Sequence, residues 1–202
     1  MTQKKSPALR REEIFEAALV CFNEKGFHKT SIDDIAQKTG ITKGGVYYHF
    51  KSKKNLFIQL FNIKVNDYFT RVTTPVADNK NAAEYIQHLV QRSEKIFHKN
   101  ADILRFCLEF IWMSTRDQEL RSVVTAFYKQ RVSSFAEIIR EGMKSDMFRD
   151  VEPDTVARIL YFLSMGSFLT YFTTDLDFDI IDQHADNITT LYDGIAKTKQ
   201  AT

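Results

Sequence analysis

The sequence predicts an all-α fold of about nine helices, with a small three-helix N-terminal domain ahead of a larger helical domain. Glycine and proline, the residues that interrupt helices, number only 7 and 3 among 202 residues. Long stretches repeat apolar residues at helical spacing. Hydrophobic residues make up 44% of the chain and charged residues 27%, a balance typical of a folded, soluble protein.

The first helix is predicted to begin at Ser6, which can cap it, with Pro7 in its first turn. Gly26 is expected to end this helix, and Phe27 to fold back onto its last turn. The residues between follow the i, i+3, i+4, i+7, i+8 spacing of one buried stripe: Ile14, Ala17, Ala18, Cys21 and Phe22.

Two short helices should follow. Ser31, with Asp34 three residues later, matches a helix-start signal, and Gly40 is expected to end the helix that it begins. Thr42 is expected to cap the next helix, over residues 43–50.

Ser52 is expected to cap a fourth helix that runs towards Tyr68. Its broad apolar side is predicted to comprise Leu56, Phe57, Leu60, Phe61 and Ile63. The stretch from Thr70 to Asn81 contains a proline and an Asp-Asn pair and is predicted to be a linker. Beyond it, helices are expected at about 82–98, 101–115, 117–146, 154–173 and 178–197.

The most apolar run extends from Ile159 to Phe172. As a helix it spans about 21 Å, which is less than the roughly 30 Å hydrocarbon core of a bilayer. The N-terminus has no apolar signal-peptide core. We therefore expect a buried helix in a cytoplasmic protein that does not enter the membrane.

Charge is distributed unevenly. Residues 1–53 carry 10 Lys/Arg and 6 Asp/Glu, whereas residues 54–202 carry 18 and 20. A basic head on a slightly acidic body suggests that the head alone meets a polyanion. Chance is the alternative explanation, because the excess is modest.

The second and third predicted helices fit the geometry of a helix-turn-helix. Ala36 and Gly40 supply the small residue at the crossing and the residue tolerant of positive φ in the turn. At about 100° per residue, Val46 and Phe50 share the inward face of the third helix.

The outward face of the third helix carries Tyr47 and Tyr48, with Gly44 and Gly45 beside them. Each glycine costs about 1 kcal/mol relative to alanine, but it lets backbone N–H groups approach an anion. Cations flank this face: Lys43, Lys51 and Lys53. The alternative is that the tyrosines pack in a core and the lysines form an ordinary solvated surface.

The segment "TSIDDIAQKTGITKGGVYYHFKSKKNLF", residues 30–57, resembles the signature of the TetR/AcrR family of bacterial transcriptional regulators. "PDTVARILYFLSMGSF", residues 153–168, resembles the penultimate helix of that family. The rest of the chain shares with the family only its layout, a linker followed by long helices.

The resemblance implies a helix-turn-helix DNA-binding domain over residues 1–53 and a helical effector-binding and dimerisation domain over residues 54–202. It also implies a homodimer made through the last two helices, about 154–173 and 178–197. Such a dimer would repress transcription from a palindromic DNA operator until a small-molecule effector releases it. The rival interpretations are a ligand-responsive activator and a helical hydrophobe-binding protein without DNA binding.

By motif position, the resemblance implies a set of DNA contacts: Thr30, Ser31, Thr42, Lys43, Gly44, Gly45, Tyr47, Tyr48, His49 and Lys53. Tyr48, His49 and Lys53 are expected at phosphates. Lys43, Gly44 and Tyr47 are expected near base edges. The family often has a longer side chain at the position of Gly45, so base reading here should depend more on Tyr47 and Lys43.

The larger domain is rich in large apolar side chains that could line a pocket for a hydrophobic or aromatic effector. The candidates are Phe106, Phe110, Met113, Phe127, Phe162, Met165 and Phe168. For any one of them, a place in the core or in a dimer interface is the alternative.

Neither a metal site nor enzyme chemistry is predicted, and no cofactor is expected. The i, i+4 pairs Glu84/His88 and Glu94/His98 are typical of helix surfaces rather than of metal sites. The sequence lacks the common zinc-protease, nucleotide-binding and serine-hydrolase motifs. Cys21 and Cys107 lie in separate apolar runs and are expected to be buried free thiols.

Overall fold

The structure is a computed structural model that describes residues 6–73, 91 and 99–197, without the side chains of Val72 and Thr73. Those residues form helices joined by short connections, which confirms the all-α prediction. The chain divides into two compact units, residues 1–67 with 101–124, and residues 68–100 with 125–202. The predicted helix over 82–98, with its Glu/His pairs, lies outside the described residues except for Gln91.

The N-terminal helices begin at the predicted residues. They are α1 (Pro7–Lys29), α2 (Ile32–Thr39), α3 (Lys43–His49) and α4 (Lys53–Leu60). Each has a hydroxyl side chain at its N-cap that accepts a hydrogen bond from a backbone amide of the first turn. At α2 the cap is reciprocal, because the Asp34 carboxylate also accepts a hydrogen bond from the Ser31 backbone amide at 2.8 Å.

Two glycines shape the corners between these helices. Gly26 has φ 74° and breaks the regular path of α1, after which a short turn continues to Lys29. The Phe27 ring stacks on Phe22 at 5.8 Å, as predicted. Gly40 ends α2 in the left-handed conformation at φ 72° and ψ 32°.

A cluster of phenylalanine rings fills the core of this unit. The Phe57 ring lies 5.0 Å from Phe22, 5.0 Å from Phe106 and 4.9 Å from Phe110. Phe61 stacks on Phe110 at 4.0 Å. Phe106 and Phe110 belong to a further helix, α6 (Ala101–Ser114), which packs against α1. This helix therefore completes the core around which α1 and α4 fold.

The helix that begins with α4 is longer than predicted and contains a π-helical segment. α4 passes into a π-segment (Phe61–Val65) and then into α5 (Asn66–Thr73). The linker predicted from Thr70 to Asn81 therefore starts no earlier than residue 74, and residues 74–81 lie outside the described part of the chain. Ile63, predicted on the apolar side, is 44% exposed, whereas Val65 is fully buried. The wider π turn, with i→i+5 bonding, moves the apolar side away from the position that α-helical spacing predicts.

Within the described residues, the second unit contains three long helices. They are α7 (Gln118–Lys144), whose first residues belong to the N-terminal unit, α8 (Pro153–Thr173) and α9 (Ile180–Ile195). α8 and α9 pack against each other. Their shared core contains Ile138 and Ile139 of α7, Val156 and Leu160 of α8, and three residues of α9: Ile188, Tyr192 and Ile195.

The loop between α7 and α8 is fixed to the end of α9. Phe148, 1% exposed, pairs as an isolated antiparallel bridge with Ala196. The Arg149 amide donates to the Ile195 carbonyl at 2.8 Å, and the Lys197 amide to the Met147 carbonyl at 2.9 Å. These bonds hold the Phe148 ring in the core of the unit.

The expectation of a buried apolar helix near the C-terminus is wrong for a single chain. Within α8 only Val156, Ala157, Leu160 and Phe168 are buried. The 18-residue window that is long and apolar enough to cross a bilayer is only 22% buried. Four large apolar side chains of this helix reach solvent: Ile159, Phe162, Leu169 and Tyr171.

Candidate nucleic-acid interface

The turn between α2 and α3 has the geometry of a helix-turn-helix. Ala36 is 4% exposed, and its carbonyl accepts the Ile41 amide at 3.0 Å, directly after Gly40 in the left-handed conformation. Ile35 and Val46 are fully buried and join the two helices. The tight crossing places α3 on the surface with a fixed orientation.

The two tyrosines of α3 point away from the core. Tyr48 is 82% exposed and Tyr47 is 46% exposed, whereas Val46 and Phe50 are buried. The Phe50 ring packs edge-on against Phe15 at 5.1 Å. The alternative in which the tyrosines belong to the core is therefore wrong.

Arginine from α1 fixes the C-terminal end of α3. The Arg11 guanidinium donates to the His49 carbonyl at 3.1 Å and to the Gln59 side-chain oxygen at 2.5 Å. Its guanidinium carbon also lies 4.7 Å from the centre of the Phe50 ring. These contacts orient the end of α3 without using the outward face of the helix.

The two glycines of α3 are not required by internal packing. A Cβ on Gly44 would meet only the Thr42 hydroxyl, at 3.9 Å, and a Cβ on Gly45 would make ordinary contacts at 3.5 Å with Ile41 and Thr42. An alanine therefore fits at either position, and the missing side chains leave open surface beside the tyrosines. The Gly45 amide is not free for an anion, because it donates to the Thr42 cap at 3.1 Å.

Lys43 is held at the rim of this surface by a weak ion pair. Its ammonium lies 2.8 Å from the Asp33 carboxylate, and both side chains are more than half exposed. The hydrogen bond from Lys43 to Asp33 is the first cause that raises the pKa of the lysine. Exposed pairs of this kind are screened by water and are easily exchanged for another anion.

His49 is half-buried beside Tyr48, whose ring lies edge-on at 5.0 Å. Burial is the first cause that lowers the pKa of His49, and the positive charges of Arg11 and Arg10 lower it further. Both effects disfavour the protonated imidazole. Its ring N–H can donate a hydrogen bond to a phosphate in either protonation state.

Lys53, predicted to contact phosphate, instead ties α4 to the corner between α1 and α2. Its ammonium donates to the carbonyls of Phe27 and Thr30, each at 2.6 Å, and to that of His28 at 3.4 Å. It also lies 4.4 Å from the Phe27 ring centre. These bonds give Lys53 a positioning role inside the protein, and its phosphate contact stays a prediction that requires some of them to be released.

Of the predicted pair Thr30 and Ser31, only Ser31 lies on the surface. Thr30 is 1% exposed, and its hydroxyl is shared between the carbonyls of Cys21 and Gly26, at 2.9 and 2.8 Å. The structure therefore gives the Thr30 hydroxyl an internal role and offers no support for its predicted contact with DNA. Ser31 is exposed at the reciprocal cap of α2.

The seven predicted effector-pocket residues do not form one group. Phe106 and Phe110 fill the ring cluster of the N-terminal unit, so the core alternative is correct for these two. Phe162 is 59% exposed on α8. Phe127 and Phe168 are buried in the second unit, and Met113 and Met165 are half-buried.

Sequence reasoning missed two features of the second unit. One is an open groove of about 540 Å³ between the start of α8 and the end of α9, bordered by Thr155, Ile159 and Gly194. The other is Arg131 of α7, which is only 2% exposed. Arg131 falls midway between Phe127 and Phe135 at i+4 spacing, a signal that could have revealed a cation on an apolar stripe.

The two cysteines are buried free thiols, as predicted. Burial raises the pKa of the Cys107 thiol to about 12. Both residues therefore act as small apolar core residues. In the described part of the chain, no three His, Cys, Asp or Glu side chains come together in a way that could hold a metal ion.

Comparison with known proteins places the helix-turn-helix in a family. A sequence model of bacterial regulatory proteins of the tetR family matches residues 14–60. The repressor KstR2 of Mycobacterium tuberculosis is 29% identical over 153 residues, which cover 75% of this chain and 76% of that protein. Residues 14–60 are a DNA-binding domain of the TetR family. The matched residues contain both helices of the helix-turn-helix and all of α4.

Solved structures of transcriptional regulators share the whole fold of this chain. A transcriptional regulator from Saccharomonospora viridis in complex with choline superposes with a TM-score of 0.79 at 24% identity, covering 95% of this chain and all of that one. FadR from Bacillus subtilis in complex with stearoyl-CoA gives 0.74 at 20% identity, covering 91% and 98%. At these identities the likeness concerns the fold alone.

Proposed function

We propose that this DNA-binding transcriptional regulator is a cytoplasmic repressor that holds a palindromic operator as a homodimer until a small effector releases it. The observation that carries the proposal is the outward face of α3. Two exposed tyrosines stand there beside two glycines that internal packing does not require. KstR2, a relative named as a repressor, supports the direction of the regulation.

The DNA contacts follow from the position of each side chain in the helix-turn-helix. α3 enters the major groove while α2 crosses the backbone. Tyr48 and His49 donate hydrogen bonds to phosphates. Ser31 can do so from the start of α2 only when its hydroxyl releases the Asp34 carboxylate, to which it donates at 2.7 Å. Lys43, once released from Asp33, and Tyr47 lie nearest to base edges. Gly44 and Gly45 let the groove floor approach the helix backbone.

The dimer forms through α8 and α9. Ile159, Phe162 and Leu169 are between 40 and 59% exposed on α8. A second copy would remove these side chains from water, which is the main driving force for association. The pairing must then hold two recognition helices about 34–36 Å apart, one helical turn of DNA.

Effector binding weakens DNA binding through a difference in affinity between two states of the dimer. The ligands named for the similar structures, choline and stearoyl-CoA, differ in charge and size, so they do not indicate a common effector. The effector site of this chain is assigned to the second unit. Any bound state that changes the separation of the recognition helices lowers operator affinity.

The test is a mobility-shift titration with the DNA upstream of the protein's own gene. Tyr48→Phe removes one hydroxyl from a side chain that is 82% exposed, so folding is unaffected. The loss of a charge-assisted hydrogen bond should weaken binding about tenfold on specific and unrelated DNA alike. Gly45→Ala should stabilise the fold by about 1 kcal/mol and yet weaken operator binding, because the new methyl group faces the groove.

The proposal is tested by measuring stability and DNA binding on the same two variants. Gly45→Ala and Tyr48→Phe are compared by thermal melting, so that a binding loss with an unchanged or raised midpoint is assigned to the interface. If both variants bind the operator as the wild type does, α3 is not the reading helix. If the wild type shows no salt-sensitive binding to any upstream DNA, the repressor proposal fails.

A further inference from the structure

A buried arginine of α7 carries a charge that the described part of the protein does not neutralise. Arg131 is 2% exposed, and neither Nε nor Nη1 has a hydrogen-bond partner within residues 6–73 and 99–197. Burial lowers the pKa of this guanidinium, and no carboxylate of the described residues raises it again. Arginine nevertheless stays protonated in proteins. The interior of the second unit therefore holds a cation with unsatisfied donors.

The surroundings of this cation are aromatic. Phe127, one helical turn earlier, is 3% exposed, and the guanidinium carbon lies 5.7 Å from the centre of its ring. Phe69 of α5 packs edge-on against Phe127 at 5.1 Å. The ring attracts the cation but offers no acceptor to Nε or Nη1. Buried donors are nearly always paired in native proteins, so these two indicate a missing acceptor.

We propose that Arg131 anchors the effector and that the effector is a monoanionic amphiphile, a carboxylic acid with an apolar body. A carboxylate binds a planar guanidinium at two points, through Nη1 with Nη2 or through Nε with Nη2, so either mode supplies an oxygen to one of the two unpaired donors. The apolar body then lies among the aromatic residues around Phe127 and Phe69. One polar group within an apolar lining is the usual composition of a small-molecule site.

The same geometry excludes the other ligand classes. A cationic ligand would meet a like charge in a poorly solvated place. A neutral alcohol or hydrocarbon would leave at least part of the guanidinium unsatisfied. The carboxylate thus relieves a penalty that the empty protein carries, and this makes the liganded state distinct from the unliganded one. That the bound acid acts on DNA rests on the proposed function, whereas its binding to Arg131 does not.

The first experiment compares acids with matched alcohols on the full-length wild-type protein. Decanoate is paired with decanol and 4-phenylbutyrate with 4-phenylbutanol, with decyltrimethylammonium as a cationic control. Thermal melting and calorimetric titration should show at least one acid bound ten times more tightly than its alcohol, and no stabilisation by the cation. Equal binding of acid and alcohol in both pairs, or stronger binding of the cation, overturns the proposal.

Variants assign the preference to the guanidinium. Arg131→Met keeps an apolar stem and should lose the preference for acid over alcohol, while Arg131→Lys, which lacks the fork, should keep only part of it. The unliganded Arg131→Met protein should melt no lower than the wild type, because an unpaired buried charge has been removed. Arg140→Met, on the same helix but in a solvent-exposed pair with Asp154, should keep the wild-type preference. A large fall in the melting midpoint of Arg131→Met, or its failure to fold, would instead assign the guanidinium to the protein's own structure and overturn the proposal.

Mobility shifts on the same samples separate this inference from the proposed function. An acid that binds through Arg131 while no DNA binding occurs leaves the inference intact and overturns the repressor. If the protein binds DNA but shows no preference for acid over alcohol, the repressor proposal stands and the inference about Arg131 is overturned. If both hold, the acid should release DNA from the wild type and not from Arg131→Met.

Discussion

Single side chains decide how far the sequence motif can be interpreted as a list of DNA contacts. Tyr48 and Tyr47 lie on the surface, as their helical angles predict, and the exposed Lys43 side chain lies at its rim. Thr30 and Lys53 belong to the same motif, but both are bound to backbone carbonyls inside the domain. A motif records every residue that the domain needs, whether for contact with DNA or for its own geometry. Spacing alone does not separate these two needs, because both occur near the same turn.

Lys53→Met should destabilise the N-terminal unit. The methionine keeps the apolar stem but loses three charge-assisted hydrogen bonds, so the free energy of unfolding should fall by about 2 kcal/mol. Chemical denaturation measures this change. Lys51→Met is the matched control, since the Lys51 side chain is exposed, and it should leave stability unchanged. Equal stability of the two variants would return Lys53 to the phosphate role.

Helices and their ends follow local rules, and the sequence predicts them well. Ser6, Ser31, Thr42 and Ser52 cap the helices that they were predicted to begin. A cap depends on a side chain and a backbone amide two or three residues away, so local sequence contains all of the information. The π-segment from Phe61 to Val65 and the exposure of Ile63 depend instead on tertiary packing, for which the local sequence gave no signal.

The exposed side of α8 also could not be predicted from local sequence. Its composition predicts burial, and burial in one chain does not occur for Phe162 or Leu169. Apolar composition indicates that a surface will be covered but does not indicate whether the cover comes from the same chain or from another. Arg131 is hidden for a related reason, because the apolar residues around it predict a buried stripe but do not show that a cation belongs to it.

Gly142→Ala tests the packing of α7 against the loop that precedes α8. A Cβ at Gly142 would lie 2.1 Å from two carbons of the Phe148 ring. Phe148 is held by its backbone bridge to Ala196, so the ring has little room to move. We expect the free energy of unfolding to fall by about 1–3 kcal/mol despite the higher helix propensity of alanine.

The control for that change is the same substitution in a helix without a clash, Gly45→Ala. The double variant Gly142→Ala with Phe148→Leu should cost less than the sum of the two single changes, because the smaller side chain frees the space. Additive losses in denaturation experiments would show that the two residues do not press on each other.

At the scale of the whole molecule, the proposed function depends on association of two chains. Replacing Phe162 and Leu169 together by glutamate places two charges on the apolar side of α8 and should convert the dimer to a monomer. Light scattering after size exclusion measures the mass, and the monomer should lose most of its operator affinity. Trp112→Glu is the control, since Trp112 is 68% exposed but lies on α6. A variant that remains dimeric would place the interface elsewhere.

The shortness of α3 has a consequence for how the protein finds its site in a genome. The helix has seven residues, about two turns, and its first turn is nearly bare. Each good base contact contributes about 1–3 kcal/mol of discrimination, so one such helix can discriminate against incorrect base pairs at only a few positions. A genome offers roughly a million or more competing non-specific sites, so a single recognition helix would be bound mostly at those sites rather than at the operator. In a dimer, the two recognition helices multiply their preferences for the operator over other DNA. Sequence-dependent flexibility of the operator can add specificity that the bare glycines do not supply.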